Sequence, residues 1–223
     1  MEHPRATIFS IVSAIFEENS YLAYLEGRSD TLVVDPGLEP EKIVAALQER
    51  GLTPAAILCT HGHADHIAGN AALKERWPEC PLVIGSGDAA KLTDPVGNLS
   101  AGFDFHLLSP QADRTVSEGE HLEYAGFKLE VRETPGHSSG HVVFVANELR
   151  PIQVFGGDVL FAGSVGRTDF PDGSFAVLKQ AIHEKLFPLP DDTIILPGHG
   201  PPTTVGEEKR TNPFVGLNAK FEG

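Results

Sequence analysis

Between Thr60 and His66 the chain reads THGHADH, which places three imidazoles and a carboxylate within six residues. Imidazole nitrogen and carboxylate oxygen are donors that zinc, iron and manganese accept. Spacing of i, i+2 in a turn lets His61 and His63 point into one coordination sphere, while Asp65 and His66, displaced along the chain, can serve a neighbouring ion. Gly62 and Ala64 keep the loop slim. Three single residues extend the set: His137 after Pro135-Gly136, Asp158 after Gly156-Gly157, and His199 between Pro197-Gly198 and Gly200. A lone histidine in a turn is more often a hydrogen-bonded structural residue than a ligand. Four donors in one loop shift that balance, because titratable groups crowded without a cation repel one another and lose hydration. The seven residues are therefore read as ligands of two divalent metal ions, zinc first, with iron or manganese accepted by the same donors. Seven ligands for two ions leave open coordination positions, which favours catalysis over a closed structural site.

Groups so far apart in the chain need a frame to bring them together. Five apolar runs end in a turn bearing a polar residue: VVDPG (Asp35), ILCTHGHADH (His61 onward), VRETPGH (His137), VFGGD (Asp158) and IILPGH (His199). A sheet that delivers polar groups from the ends of separate strands builds a site at its edge. Strands are expected over 7–12, 21–25, 31–34, 56–59, 82–84, 127–131, 142–145, 152–155 and 193–196, several of them buried on both faces. Helical spacing marks 40–50, 66–77 and 175–186, so strands and helices interleave. The stretch 93–117 has weak periodicity and reads as surface loop. Asp35 is expected to accept a hydrogen bond from a ligating histidine or a turn amide, with a plain turn residue as the alternative. His141, four residues after His137, is a candidate for the same supporting role. His3, His106, His121 and His183 lie in polar or amphipathic contexts, and at least three of the four are expected at the surface.

Composition sets the outer bounds. At 223 residues, with 41% hydrophobic and 22% charged residues, the chain reads as one globular domain over 1–223. A net charge of −14 disfavours nucleic-acid partners, which need a Lys/Arg footprint. No apolar run approaches the roughly 20 residues that span a bilayer, so no membrane partner is expected and the cytoplasm is the default location. The two cysteines, Cys59 and Cys80, sit in unlike settings and read as free thiols rather than a disulfide. Oligomeric state is left open.

At these residues the chain resembles the metallo-β-lactamase superfamily, with its H-x-H-x-D-H motif followed in order by separate His, Asp and His ligands. Within it, THGHADH, TPGHSSGHVVF, GDVLFAGSVGRTDFP and PGHGPPTTVGEEKRTNPF are similar to short single-domain bacterial members of the type II glyoxalase group, the hydroxyacylglutathione hydrolases. The resemblance implies an α/β (α+β) fold, a four-layer αββα sandwich with metals at one edge of the central sheets. It assigns His61, His63 and His137 to one metal, Asp65, His66 and His199 to the other, and Asp158 as the bridge. It also implies a thioesterase for S-D-lactoylglutathione-type small molecules, in which a metal-bridging hydroxide attacks the thioester carbonyl and a thiolate leaves. Asp65 would hold the nucleophilic water as well as ligate, which makes it the catalytic candidate. Two departures stand out. The chain continues only 24 residues past His199, where two-domain relatives carry a helical domain that helps bind glutathione. Where those relatives have a glutathione-binding lysine and tyrosine, this chain has GRTDF, so Arg167 is the substrate-binding candidate, with an ion pair to Asp169 or Asp172 as its alternative. GRTDF and HADHI also resemble persulfide dioxygenases, which use a single iron at the counterparts of His61, His137 and Asp158.

Overall fold

The computed structural model describes residues 3–221. Its first half supplies strands Ala6–Val12 (β1), Asn19–Leu25 (β2), Asp30–Val34 (β3), Thr53–Cys59 (β4), Leu82–Gly85 (β5) and Arg114–Val116 (β6), which form one sheet in that order. Pairing is antiparallel from β1 to β3 and parallel from β3 to β6. The second half supplies His121–Tyr124 (β7), Phe127–Glu133 (β8), Val142–Ala146 (β9), Gln153–Gly157 (β10), the short hairpin Leu160–Phe161 (β11) and Ser164–Val165 (β12), then Ile194–Pro197 (β13) and Thr203–Thr204 (β14). Apart from the hairpin these make a second sheet in the order β14, β13, β10, β9, β8, β7. Helices are Pro40–Arg50 (α1), Ala64–Ile67 (α2), Asn70–Arg76 (α3), Phe175–Ala181 (α4), which runs on as a π turn to Leu186, and Val205–Thr211 (α5).

The alternation of side chains along a strand explains why both sheets need two partners. Along β2 and β3, Tyr21, Ala23, Leu32 and Val34 face the other sheet and meet Phe127, Leu129, Val131, Phe144 and Phe155. The intervening Leu22 and Val33 point outward, where Ile43 and Leu47 of α1 and Leu73 of α3 cover them. On the second sheet Val143, Val145, Val154 and Ile195 are capped by Leu178 of α4 and by Ile182 and Leu186 beyond it. Strands buried on both faces read as continuous apolar runs, which is how the sequence announced them. The four layers match the αββα arrangement expected from the resemblance. Among the described residues no helix is long and apolar enough to cross a membrane. Cys59 and Cys80 are buried and free, as expected.

Two expectations need correction. The helix expected over 66–77 is broken into α2 and α3. Gly69 donates its N–H to Pro36 O at 2.7 Å, outside any helix, and a Cβ there would lie 2.9 Å from that same carbonyl. The break thus docks the helix pair on the Asp35 turn. The stretch 93–117, expected as loop, contains a 3-10 turn at Ser100–Phe103 and strand β6. Each is too short to show a period in sequence.

Topology brings the five polar turns together. β8 and β9 are antiparallel, β9 and β10 antiparallel, and β10 and β13 parallel, so β8, β10 and β13 all point one way. Their carboxyl ends carry His137, Asp158 and His199 to one edge. β3 and β4 run parallel in the facing sheet and deliver Asp35 and His61. Cross-links between the sheets hold this edge: Val142 N–H donates to Thr60 O at 2.8 Å, and Tyr21 Oη–H donates to Pro197 O at 2.8 Å. Phe144, fully buried between the sheets, is the test of this core. Phe144→Ala is expected to lower unfolding free energy by about 3–5 kcal/mol in denaturant titration; a loss under about 1 kcal/mol would mean the sheets do not pack through it.

Candidate metal centre

The ligand atoms of His61, His63 and His137 lie within 4.8 Å of one another, as do those of His61, His66 and Asp158, and those of Asp65, His66 and His199. The structure therefore brings together all seven residues picked out in the sequence. Asp158 lies between the two outer groups. Its Oδ2 is 3.5 Å from both His137 Nε2 and His199 Nε2, and its Oδ1 is 3.4 Å from His66 Nε2. Asp65 Oδ2 lies 3.3 Å from His199 Nε2 and 3.8 Å from His66 Nε2.

What each imidazole does with its other nitrogen decides which lone pair faces inward. His66 Nδ1–H donates to Asp35 Oδ2 at 3.1 Å, His137 Nδ1–H to Arg167 O at 2.7 Å, and His199 Nδ1–H to Phe16 O at 3.0 Å. His61 Nδ1 meets Thr60 Oγ1 at 3.1 Å; that hydroxyl already donates to Asp35 Oδ2 at 2.8 Å, so His61 is the donor. All four rings are thereby left with a bare Nε2. His63 turns Nδ1 toward His137 Nε2 at 2.9 Å. Two lone pairs so close demand a proton or a cation between them. Among the buried side-chain atoms with no hydrogen-bond partner are His61 Nε2, His66 Nε2 and Asp158 Oδ1. Buried polar atoms are rarely left in that state. These orphaned donors fit a pair of divalent ions, and their chemistry suits a dinuclear site.

Electrostatics agrees. Burial, reinforced by the neighbouring imidazoles, holds His61 well below the usual histidine range, and burial with His137 and Lys91 pushes His63 down to about 3. Both imidazoles are neutral at physiological pH. Burial alone would raise the Asp158 carboxyl, but His66, His137 and His199 around it outweigh that and drive it well down. His66 is pulled the opposite way: burial would lower it, and Asp158 and Asp65 raise it well above its ordinary value. With protein groups alone, the carboxylates draw a proton to the place where a cation would stand.

Supporting residues come from several elements. Asp35, with a left-handed φ of 48°, accepts Thr60 N–H at 2.7 Å as well as Thr60 Oγ–H and His66; it is the acceptor the sequence led us to expect. His141 is buried, accepts Asp158 N–H at Nε2 (3.1 Å) and meets Thr134 Oγ1 through Nδ1. Burial keeps it neutral. A left-handed bulge at Gly157, whose Cβ would strike Thr60 Oγ1 and His141 Nε2, turns Asp158 out of β10 toward the donors. His3, His106, His121 and His183 are exposed, as expected.

Other residues were missed in sequence. Asp88 is buried and accepts N–H bonds from Gly62 and Gly140, both at 2.8 Å, and Oγ–H from Ser138, so one carboxylate clamps the two histidine turns. Lys91 Nζ, 3.1 Å from Asp88, also reaches Asp172 at 2.6 Å and so ties down the segment carrying Phe170. Nothing around SGDAAK distinguishes this pair from a solvated turn. Arg167 reaches the mouth of the site, but its guanidinium makes a bidentate pair with Asp169 at 2.7 Å and lies 4.4 Å over the Phe170 ring.

The donors open into a cleft of about 460 Å³ whose other walls are Phe16, Ala64, Asn98, Leu99, Phe103, Phe161, Ser164, Val165, Arg167 and Phe170. Larger grooves near His3 and Arg5 contain none of the donor atoms.

A family model described as the metallo-β-lactamase superfamily matches residues 16–199. The hydroxyacylglutathione hydrolase GloC of Haemophilus influenzae is 37% identical over 92% of this chain and 95% of its own length. Among solved structures, the BLEG-1 B3 metallo-β-lactamase superposes with a TM-score of 0.89 at 34% identity, covering 94% of this chain and 99% of its own. TTHA1623, solved in a di-iron-bound form, gives 0.79 at 39% identity over 92% and 99%. ETHE1 from Myxococcus xanthus gives 0.77 at 28% identity over 94% and 84%. Sheet order, donor geometry and these likenesses lead to one placement: the chain belongs to the metallo-β-lactamase superfamily of metal-dependent hydrolases.

Proposed function

We propose that this protein hydrolyses thioesters of the S-D-lactoylglutathione type. His61, His63 and His137 hold one divalent ion, Asp65, His66 and His199 hold a second, and Asp158 is shared between them, with zinc as the first candidate for both. The observation that carries the proposal is the convergence of inward-facing nitrogens whose opposite N–H groups are each fixed by a protein acceptor. When bound, the ions supply Lewis acidity and lower the pKa of water toward neutrality. Asp65, which lines the cleft and lies 3.3 Å from His199, is placed to accept a hydrogen bond from the attacking water and orient it.

The cleft walls favour a particular leaving group. Beyond the ligand residues, the lining offers no carboxylic acid, lysine or tyrosine to protonate a departing atom. A thiol, with a pKa of about 8.5, departs as its anion near neutral pH, whereas an alkoxide or amide needs a proton donor. Arg167 gives the thiol half a partner. Its ion pair with Asp169 is solvent-exposed, and such pairs are worth about 0–1 kcal/mol, so an incoming carboxylate can displace Asp169. The GloC likeness supports the thioester reading. The likeness to ETHE1 favours the second reading, a persulfide dioxygenase using one iron at His61, His137 and Asp158.

Metal analysis of the purified protein alongside S-D-lactoylglutathione hydrolysis separates the two readings. Two ions per chain and chelator-sensitive hydrolysis are expected; oxygen uptake with glutathione persulfide and one tightly bound iron would replace the hydrolase by the dioxygenase. Asp158→Ala is expected to lose much of the bound metal and at least about a hundredfold in kcat, and wild-type turnover in that variant would remove its shared role. Asp35→Ala leaves every ligand in place, yet metal affinity by competition titration should fall about 10–100-fold. Unchanged affinity would reduce Asp35 to a turn residue.

A further inference from the structure

The walls of the cleft differ in character on its two sides. On one side Arg167 and Phe170 sit beside His63 and His137, with Phe170 5.1 Å from the His63 ring and 5.8 Å from the His137 ring. Arg167 is the one lysine or arginine among the lining residues. On the other side Phe161 lies 6.2 Å from the His199 ring, and Phe16 packs edge-on against Phe103, ring centroids 5.3 Å apart. Leu99 and Val165 are aliphatic residues of the cleft lining.

This wall has a fixed base and an exposed tip. Asn98 is buried; its amide donates to Lys91 O and Leu107 O, its Oδ1 accepts Ser100 N–H, and its carbonyl accepts Ala64 N–H at 2.9 Å. The segment bearing Leu99 and Phe103 therefore hangs from the same turn that carries His63 and Asp65. Phe103 itself remains 58% exposed, although it is a large aromatic residue at the mouth of a cleft. Phe16 is doubly placed, since its ring forms the wall and its carbonyl fixes His199.

We propose that the wall of Phe16, Phe103 and Phe161 receives the acyl arm of the substrate, and that the enzyme selects thioesters whose acyl group carries an aryl or branched alkyl substituent. The inference rests on the thioesterase reading above. A thioester bound with its carbonyl at the donors sends one arm toward each side of the cleft. The thiol arm of a glutathione-type substrate carries carboxylates and belongs with the only guanidinium. The acyl arm is then left against three phenyl rings, which gain by covering an apolar group and gain little from a bare methyl. Phe103 is a specificity-determining residue in this scheme, acting on the choice of acyl group.

The test compares S-D-lactoylglutathione with S-D-mandeloylglutathione, whose acyl arms differ in methyl against phenyl, using metal-replete protein. Each kcat/KM is divided by the rate of uncatalysed alkaline hydrolysis of the same compound, which removes intrinsic reactivity. The phenyl substrate is expected to be favoured about tenfold or more. In Phe103→Ala, with metal content checked to match wild type, that ratio should fall at least threefold, and Phe103→Leu should restore part of it. A wild-type ratio at or below one, or an unchanged ratio in Phe103→Ala, overturns the proposal while leaving the thioesterase reading intact. Cleavage of neither compound overturns both.

Discussion

Five imidazoles and two carboxylates brought within a few ångströms, most of them buried, compete for protons unless a positive charge stands among them. The chain strengthens that demand. Thr60, Asp35, Arg167 O and Phe16 O consume the N–H of four rings, so each ring, once neutral, turns a bare nitrogen inward. His141 holds the Asp158 backbone, and Asp88 grips two histidine turns from behind. These contacts cost order and desolvation, and they make sense as the preparation of a rigid donor set.

The sequence displayed the donor set because four of its members sit in one short segment and because apolar strands flank every turn. Asp35 and His141 were also visible, through their place at strand ends near known donors. Asp88 and Lys91 were not, since their importance arises from where the short 3-10 turn Ala89–Thr93 folds back, a contact with no local period. Fold class was legible for a similar reason. Strands covered on both faces leave unmistakable apolar runs, whereas β6, β11, β12 and β14 span two or three residues and leave no pattern. Arg167 shows the opposite limit: residue type left a cation for the substrate and an ion pair with Asp169 or Asp172 both open, and the structure shows the pair with Asp169.

Glycine has a local part in this design at two points. At Gly69 the missing Cβ lets a helix break against the Asp35 turn, and at Gly157 it lets a strand swerve so that Asp158 enters the cluster. Both deviations from regular structure occur where a donor or its partner must be aimed, which is the usual place for a chain to accept local irregularity.

The donors are drawn from both halves of the sandwich: His61, His63, Asp65 and His66 follow β4 of the first sheet, while His137, Asp158 and His199 follow β8, β10 and β13 of the second. Any ion held between them doubles as a rivet through the two layers. Cation affinity and resistance to unfolding then become one linked equilibrium, so scarcity of metal in the surroundings would weaken the join between the two layers as well as empty the site.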